Sequence, residues 1–579
     1  MTTRYRRLSV HTGQLVLAEI VVVLVLVAVT VPAGWPAVPA ALALAVLGFG
    51  RWRHRRLYRW LGIFLRYAAG PRSLPAGAPL LGYLAPGASV TDTELDARGY
   101  GVLADEYGLT AVVEIGDPAG LLGDTVLALP SPATLLPPAA PDTPAVRVRL
   151  LVSGMPAPAA RTGSGLPATS YRQLTSGRVA GYHRVLVAVR VLRDDPGWST
   201  DDLRRVLGGA LRRIRRRLDH ERVPHRPLGR DAFLAALADR THHHPGTTVR
   251  ESWSGLSAGR LRQTCLRIRR LDRLRPEPAG QFLAQLLAVP ATATVVALSA
   301  SHAGLDLVVR VAAADPAGLA RTVRAIRRLI GPIGLTATRL DGEHRAGLAA
   351  TLALGGPDLP DTGAGPLHGT PTELVPAGVA LGRNRRGALV TARLLRPEPT
   401  RVLLVGGVRL AELVTLRVLA LGAQVLVQTG RPAAWEPFLR AVSLPSDAIG
   451  TVPPGHPVAL PPGGPFAPQV VVVDTGPVLG DPPVDAAPWR TVVLLRDELT
   501  PGDLDVLTRA DLVVLPPLRP EEAALAGPTL GLGDGQDWLT RISADMVGMV
   551  NRRTVRFARL SATPLEQQVV GSPERAVLA

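Results

Sequence analysis

The chain has 579 residues, 47% of them apolar, and carries 65 basic against 47 acidic side chains, giving a formal charge of +18 and a pI near 11.2. Every basic residue is arginine. The length exceeds what one core organises; a single cysteine, Cys265, excludes an intrachain disulfide or CxxC metal framework; and the absence of lysine excludes a GxxxxGK[ST] phosphate loop.

Two apolar runs open the chain, at 15–31 and 37–50. The first, LVLAEIVVVLVLVAVTV, approaches the roughly 20 residues that cross a hydrocarbon layer, and the second borrows Trp35, Arg51 and Trp52 at the interfaces. Arg4, Arg6 and Arg7 precede the pair, Arg51, Arg53, Arg55, Arg56 and Arg59 follow it, and the turn between carries no charge. The positive-inside rule then predicts a two-pass transmembrane hairpin in the inner (cell) membrane, with both termini and the bulk of the chain cytoplasmic. Ala37, Ala41 and Ala45 form a small-residue stripe on which another helix could pack closely. The collar of Arg51, Trp52, Arg53, Arg55 and Arg56 suits anionic lipid headgroups, at about 1 kcal/mol per arginine near the surface. Nucleic acid is not expected as a partner, because the arginines are dispersed and aromatics make up only 4% of residues.

Residues 51–69, RWRHRRLYRWLGIFLRYAA, read as a juxtamembrane segment whose aromatics and leucines lie in the interface. From Gly99, two strands flank a turn at Glu106 to Gly108. Stretches at about 130–145 and 153–168 are rich in proline and alanine and read as loops. A strand begins at Tyr182, and Ser199 to Asp202 opens a helix like a capping box. That helix shows one apolar face, Leu203, Val206, Leu207, Ala210, Leu211, Ile214 and Leu218, and an arginine face off it. A strand pair at about 249–253 and 261–269, a helix near 279–288, strands near 294–299 and 305–312, and a helix at 316–330 complete a mixed α/β or α+β domain over 67–354.

Residues 355–371, GPDLPDTGAGPLHGTPT, read as a linker. Beyond it a hairpin turning at Asn384 to Gly387 leads into RVLLVGG, a helix over about 410–421, and QVLVQT. Further apolar strands lie at 470–473, 491–495 and 512–515. Continuous apolar strands alternating with helices predict a second, Rossmann-like α/β domain over 372–579 with a mostly parallel sheet.

Candidate chemistry is sparse. The turn GGVRLA at 406–411 lacks the second and third glycines of a dinucleotide fingerprint. Gly255-Leu256-Ser257-Ala258-Gly259 matches GxSxG, but its flanks read as a hairpin around a loop rather than a nucleophile elbow. Asp503 and Asp505 form DxD at a helix start, where acids suit the dipole. His242 to His244 precede Pro-Gly in a loop, and three consecutive histidines cannot all face one ion. Cys265 reads as a structural thiol. No catalytic, cofactor or metal residues are assigned.

The arginine-bracketed start, RWRHRR with its aromatic-rich continuation, the strand–helix block from Tyr182, the ESW segment at 251–253 and RVLLVGG…LGAQVLVQTGRPAAW at 401–435 together resemble EccE of the actinobacterial type VII (ESX) secretion system. The resemblance implies a non-catalytic structural subunit of an inner-membrane protein secretion complex, assembling with EccB, the ATPase EccC and EccD, without a cofactor. The alternative from the residues themselves is a membrane-tethered, glycosyltransferase-like or nucleotide-dependent enzyme using the C-terminal sheet.

Overall fold

The computed structural model describes residues 50–572, apart from 53–54, 141, 244–245, 355–365, 446, 459, 477–483 and 553, together with scattered positions between 19 and 46. Regular structure after Gly50 begins with a tight ribbon of β1 (Arg51–Trp52) on β2 (Arg55–Arg56), which runs into helix α1 (Leu57–Ala69).

Strands β3 (Ser73–Leu74), β4 (Ser89–Leu95), β5 (Arg98–Asp105) and β6 (Gly108–Ile115) follow, with the short helix α2 (Leu80–Leu84) between the first two. Two brief strands, β7 (Leu122–Gly123) and β8 (Leu127–Leu129), precede β9 (Val146–Pro156), helix α3 (Leu166–Thr175) and the longest strand, β10 (Ala180–Leu192). Next come α4 (Thr200–His220), β11 (His225–Pro227), α5 (Arg230–Thr241), β12 (Val249–Ser252), β13 (Gly255–Ala258) and β14 (Leu261–Arg269). The block ends with α6 (Pro276–Leu287), β15 (Ala293–Ser301), β16 (Gly304–Ala313), α7 (Pro316–Ile330), β17 (Thr336–Arg339) and α8 (His344–Ala350).

These strands, β7 and β8 apart, make one antiparallel sheet of 13 in the order β3-β12-β13-β14-β16-β15-β9-β10-β6-β5-β4, with β11 added on β6 and β17 on β14. Helices cover both faces. Val113, Leu150 and Val187 pack with Leu207, Leu211 and Ile214 of α4 and with Phe282 of α6. Val112, Leu151 and Leu186 pack on the other side with Phe233 and Leu237 of α5 and Leu348 of α8. Alternate residues of each strand therefore enter different cores, which is why β6 and β16 are apolar almost throughout although every pairing is antiparallel.

A second sheet holds 11 strands. From one edge inward six strands are parallel: β21 (Thr400–Val405), β22 (Gln424–Thr429), β23 (Ile449–Val452), β24 (Gln469–Asp474), β25 (Arg490–Arg496) and β26 (Leu512–Leu515), in the spatial order β23-β22-β24-β25-β21-β26. Helix α9 (Val408–Ala420) joins β21 to β22, and α10 (Pro432–Val442) joins β22 to β23. Beyond β26 the sheet turns antiparallel through β27 (Met546–Asn551), β28 (Thr554–Arg559), β19 (Val379–Arg383), β20 (Leu389–Ala392) and finally β7 from the first half of the chain. The preceding strand β18 (Thr372–Leu374) pairs with β8. Ring contacts Tyr182–Trp489 and His242–Phe466 add side-chain packing between the halves.

Three expectations need correction. The expected transmembrane hairpin is not seen: among the described residues no helix is long and apolar enough to cross a membrane, and most of 15–31 and 37–50 lies outside them. The first sheet is wholly antiparallel, so of the α/β and α+β forms expected over 67–354 the α/β form is excluded. The second is mixed rather than Rossmann-like: β21 lies between β25 and β26, not beside β22. Apolar runs report burial on both faces, and neither strand order nor direction follows from burial. Locally, the 153–168 stretch holds the end of β9 and the start of α3 instead of a loop, and Gly255 to Ala258 is itself a strand.

Candidate functional site

Helix α1 carries two apolar stripes. Trp60, Ile63, Phe64 and Tyr67 recur at helical spacing and turn toward the first sheet. Ile63 is buried, and Trp253 receives the rings of Trp60, Phe64 and Tyr67 at centroid distances of 6.0, 6.3 and 5.3 Å. On the adjoining stripe Leu61, Phe64 and Leu65 are 44, 56 and 57% exposed, alongside Ala68.

The seat for α1 is the ESW segment. Glu251 and Ser252 end β12, and Trp253 follows in the turn to β13. The Gly342 N–H donates to the Trp253 carbonyl at 2.8 Å, and the Arg345 N–H donates to Glu251 Oε1 at 2.7 Å. Gly342 has φ +71, and a Cβ there would lie 2.6 Å from the Trp253 ring and 2.9 Å from Ile63. Only glycine suits that turn. Arg66 Nη2 reaches Glu343 at 3.4 Å, adding a surface ion pair to the dock. Burial raises the Glu251 carboxyl above its ordinary range, opposed by the Arg345 N–H and guanidinium.

A cleft of about 1010 Å³ opens beside this dock, between β12–β14 and α7. Tyr67 and Arg72 border it on the α1 side, and Arg250, Arg262, Arg324, Arg327 and Arg339 line the rest, with Glu251 the one carboxylate in the lining.

Of the residues expected to contact lipid or partners, Arg51, Trp52, Arg55 and Arg56 come together in the β1–β2 ribbon, paired Arg51 with Arg56 and Trp52 with Arg55, directly before α1. Ala45 is helical and half-buried, and the ribbon does not include it. Arg53, Ala37 and Ala41 lie outside the described residues. Gly342 and the anchoring role of Trp253 were missed from the sequence; the signal was the aromatics at i, i+4 and i+7, Trp60, Phe64 and Tyr67, with Ile63 at i+3, a stripe that asks for an aromatic partner.

The carboxyl ends of the parallel strands, where open α/β sheets usually bind ligands, are occupied by internal ion pairs. Asp474 at the end of β24 accepts from Thr429 Oγ1 at 2.9 Å and Trp435 Nε1 at 2.8 Å, and pairs with Arg431 at 2.8 Å. Arg431 also binds Asp497 at 2.6 Å. Hydrogen bonds donated to Asp497 and Asp474 raise the Arg431 pKa, fixing its charge. Next to them Arg496 holds Asp503 at 2.6 Å, and Asp503 closes a capping box with Thr500, so the DxD acid is structural. Ser257 Oγ donates to the Arg250 carbonyl at 3.4 Å within the β12–β13 pair. Burial pushes the Cys265 thiol up to about 12. Among the described residues no group of three His, Cys, Asp or Glu side chains could hold a metal ion.

The architecture defines a two-sheet protein with an amphipathic helix keyed to one edge. Residues 183–268, from inside β10 through the ESW segment to β14, match the family described as "Putative type VII ESX secretion system translocon, EccE". The EccE resemblance therefore holds over that part of the chain and points to a component of a type VII secretion translocon. No curated protein matches. Solved structures similar to the chain include the genome packaging NTPase B204 from Sulfolobus turreted icosahedral virus 2 in complex with ATP-gammaS, at 11% identity and TM-score 0.20, covering 28% of this chain and 97% of that one. B204, the DNA-packaging ATPase from Sulfolobus turreted icosahedral virus, gives 10% identity and TM-score 0.21, with 28% and 99% covered. At these scores the likeness carries nothing about function.

Proposed function

We propose that the protein is a non-catalytic structural subunit of a membrane-bound type VII secretion complex, resting on lipid through α1 and the β1–β2 arginines while its sheets meet EccB-, EccC- and EccD-like subunits. The observation carrying this reading is the dock of α1 on Trp253: the family-matched segment serves to hold a helix whose other stripe stays apolar and exposed. Such a helix gains by entering the headgroup boundary, at about 25 cal/mol per Å² of apolar surface covered. At the ends of β24 and β25 the acids Asp474, Asp497 and Asp503 are each engaged by arginine, which weighs against the enzyme alternative there.

The test is affinity purification of the tagged full chain in mild detergent. Recovery with an EccC-like ATPase and an EccD-like polytopic protein is expected, and Leu61→Ser/Leu65→Ser should release the chain from membranes. Isolation of the chain alone, from membranes that contain those subunits, would overturn the reading.

A further inference from the structure

Several buried arginines are paired with carboxylates, Arg184 with Glu114, Arg190 with Asp105, Arg267 with Asp306, Arg417 with Glu566 and Arg496 with Asp503, while Arg240 and Arg310 are held by carbonyls and neutral side chains. The cleft between β12–β14 and α7 is instead lined by four exposed arginines. Arg250 of β12 and Arg262 of β14 stand on either side of Ser257 of β13, with which each is in register, while Arg324 and Arg327 stand one turn apart on α7. None of the four has an ion pair or a side-chain hydrogen bond among the described residues. Arg339 is held by Asp341, and Arg72 lies over the Tyr67 ring at 4.8 Å. The one carboxylate in the lining, Glu251, accepts the Arg345 N–H and is drawn toward its neutral form by burial.

Four cations converging on a concave space repel one another unless an anion sits between them. Guanidinium forks match phosphate oxygens two at a time, so a phosphate relieves the repulsion and adds directed hydrogen bonds. Ser252, Ser254, Ser257 and Thr264 put hydroxyls on the same wall. Leu319 and Val323 of α7 and Leu256 of β13 supply an apolar strip beside the arginines. The volume is at the upper end for a small-molecule site, too large for a single inorganic ion.

We propose that this cleft is a binding site for a phosphate-bearing anion with an attached organic group, gripped by Arg250, Arg262, Arg324 and Arg327. An anionic phospholipid headgroup and a soluble phosphoryl compound share this chemistry. The site borders α1, so the headgroup case builds on the lipid contact proposed above, but the grip itself does not depend on it.

The test uses the detergent-solubilised full chain, titrated with dihexanoyl phosphatidylglycerol, dihexanoyl phosphatidylcholine and pyrophosphate. It compares wild type, Arg250→Ala/Arg324→Ala/Arg327→Ala, and the charge-matched control Arg213→Ala/Arg216→Ala/Arg385→Ala, with thermal melts confirming that each is folded. Saturable binding of phosphatidylglycerol over phosphatidylcholine, weakened about tenfold or more by the cleft triple alone, assigns the phosphate to a headgroup. Pyrophosphate binding with the same variant dependence, and no lipid preference, assigns it to a soluble ligand. Equal loss in both triples would reduce the effect to bulk charge and overturn the proposal, as would no saturable binding of any probe. Membrane release by Leu61→Ser/Leu65→Ser with an unaffected cleft triple would sink the cleft site and leave the α1 reading standing.

Discussion

Replacing Trp253 with alanine should undock α1 while leaving the two sheets folded. The indole meets three rings on one helix face, Trp60, Phe64 and Tyr67, at 5.3 to 6.3 Å. Each such pair contributes about 0.5–1.5 kcal/mol beyond area burial, so the three together amount to about 3 kcal/mol. Besides the rings, α1 is held by the buried Ile63 and by the Arg66–Glu343 pair, which is largely solvent-exposed on the arginine side and worth about 0–1 kcal/mol. A loss of about 3 kcal/mol raises the helix-opening equilibrium by about two powers of ten. Amide hydrogen exchange of the full chain reads this directly: protection at 57–69 should fall about a hundredfold, with β9, β10 and β21 unchanged. Trp253→Phe, which keeps a ring, should fall between. Unchanged exchange at 57–69 would refute the dock, and an equal loss of protection in every strand would show that Trp253 supports the whole fold instead.

Three further outcomes follow from neighbouring geometry. Gly342→Ala forces a Cβ against Trp253 and Ile63 at a positive φ and should cost about 1–3 kcal/mol, seen as exchange at 57–69 rather than in the strands. In the second sheet, Arg417 of α9 is 1% exposed and holds Glu566 of helix α11 (Pro564–Val570) at 2.9 Å while also donating to the Ala380 and Leu381 carbonyls. Glu566→Gln should therefore cost about 3–5 kcal/mol in denaturant unfolding, and Arg417→Met/Glu566→Leu clearly less than twice that. Burial alone would raise the Glu114 carboxyl, but Arg184 and Arg226 hold it below its ordinary value of 4.5. Its stabilisation is thus complete above that value and lost as pH falls through the lowered one, so Glu114→Gln should destabilise at pH 7, with the gap to wild type in thermal melts narrowing steadily as pH falls below 4.5.

What the amino-acid order made legible was mostly local. The α4 helix starts where Ser199 and Asp202 form the capping box, and the apolar residues chosen for its core face are buried, with Val206 partly so. The turn between β5 and β6 and that at Asn384 to Gly387 also fall where glycine and its neighbours indicate. Non-local pairing was not legible. No pattern in Leu122–Gly123 says that it completes a sheet begun nearly 270 residues later at Leu389 to Ala392. Nor does any apolar run reveal that β21 inserts between β25 and β26. The cleft arginines are equally opaque, because Arg250 and Arg324 become neighbours only through the β12–β14 pairing and the return of α7.

The two ends of the first sheet now have different characters. α1, Trp253 and the unpaired arginines gather at the β3–β12 edge, whereas α4 crosses β10 and β6 toward the β4 edge, its exposed arginines partly paired with Asp96, Asp201 and Asp202. A subunit resting on lipid through the first edge would leave α4 and the second sheet free to meet protein partners. The division follows from how the arginines are placed rather than from how many there are. Where carboxylates neutralise them they fix the fold; where none stands opposite, at the foot of α1, their charge remains available to an anion from outside the chain.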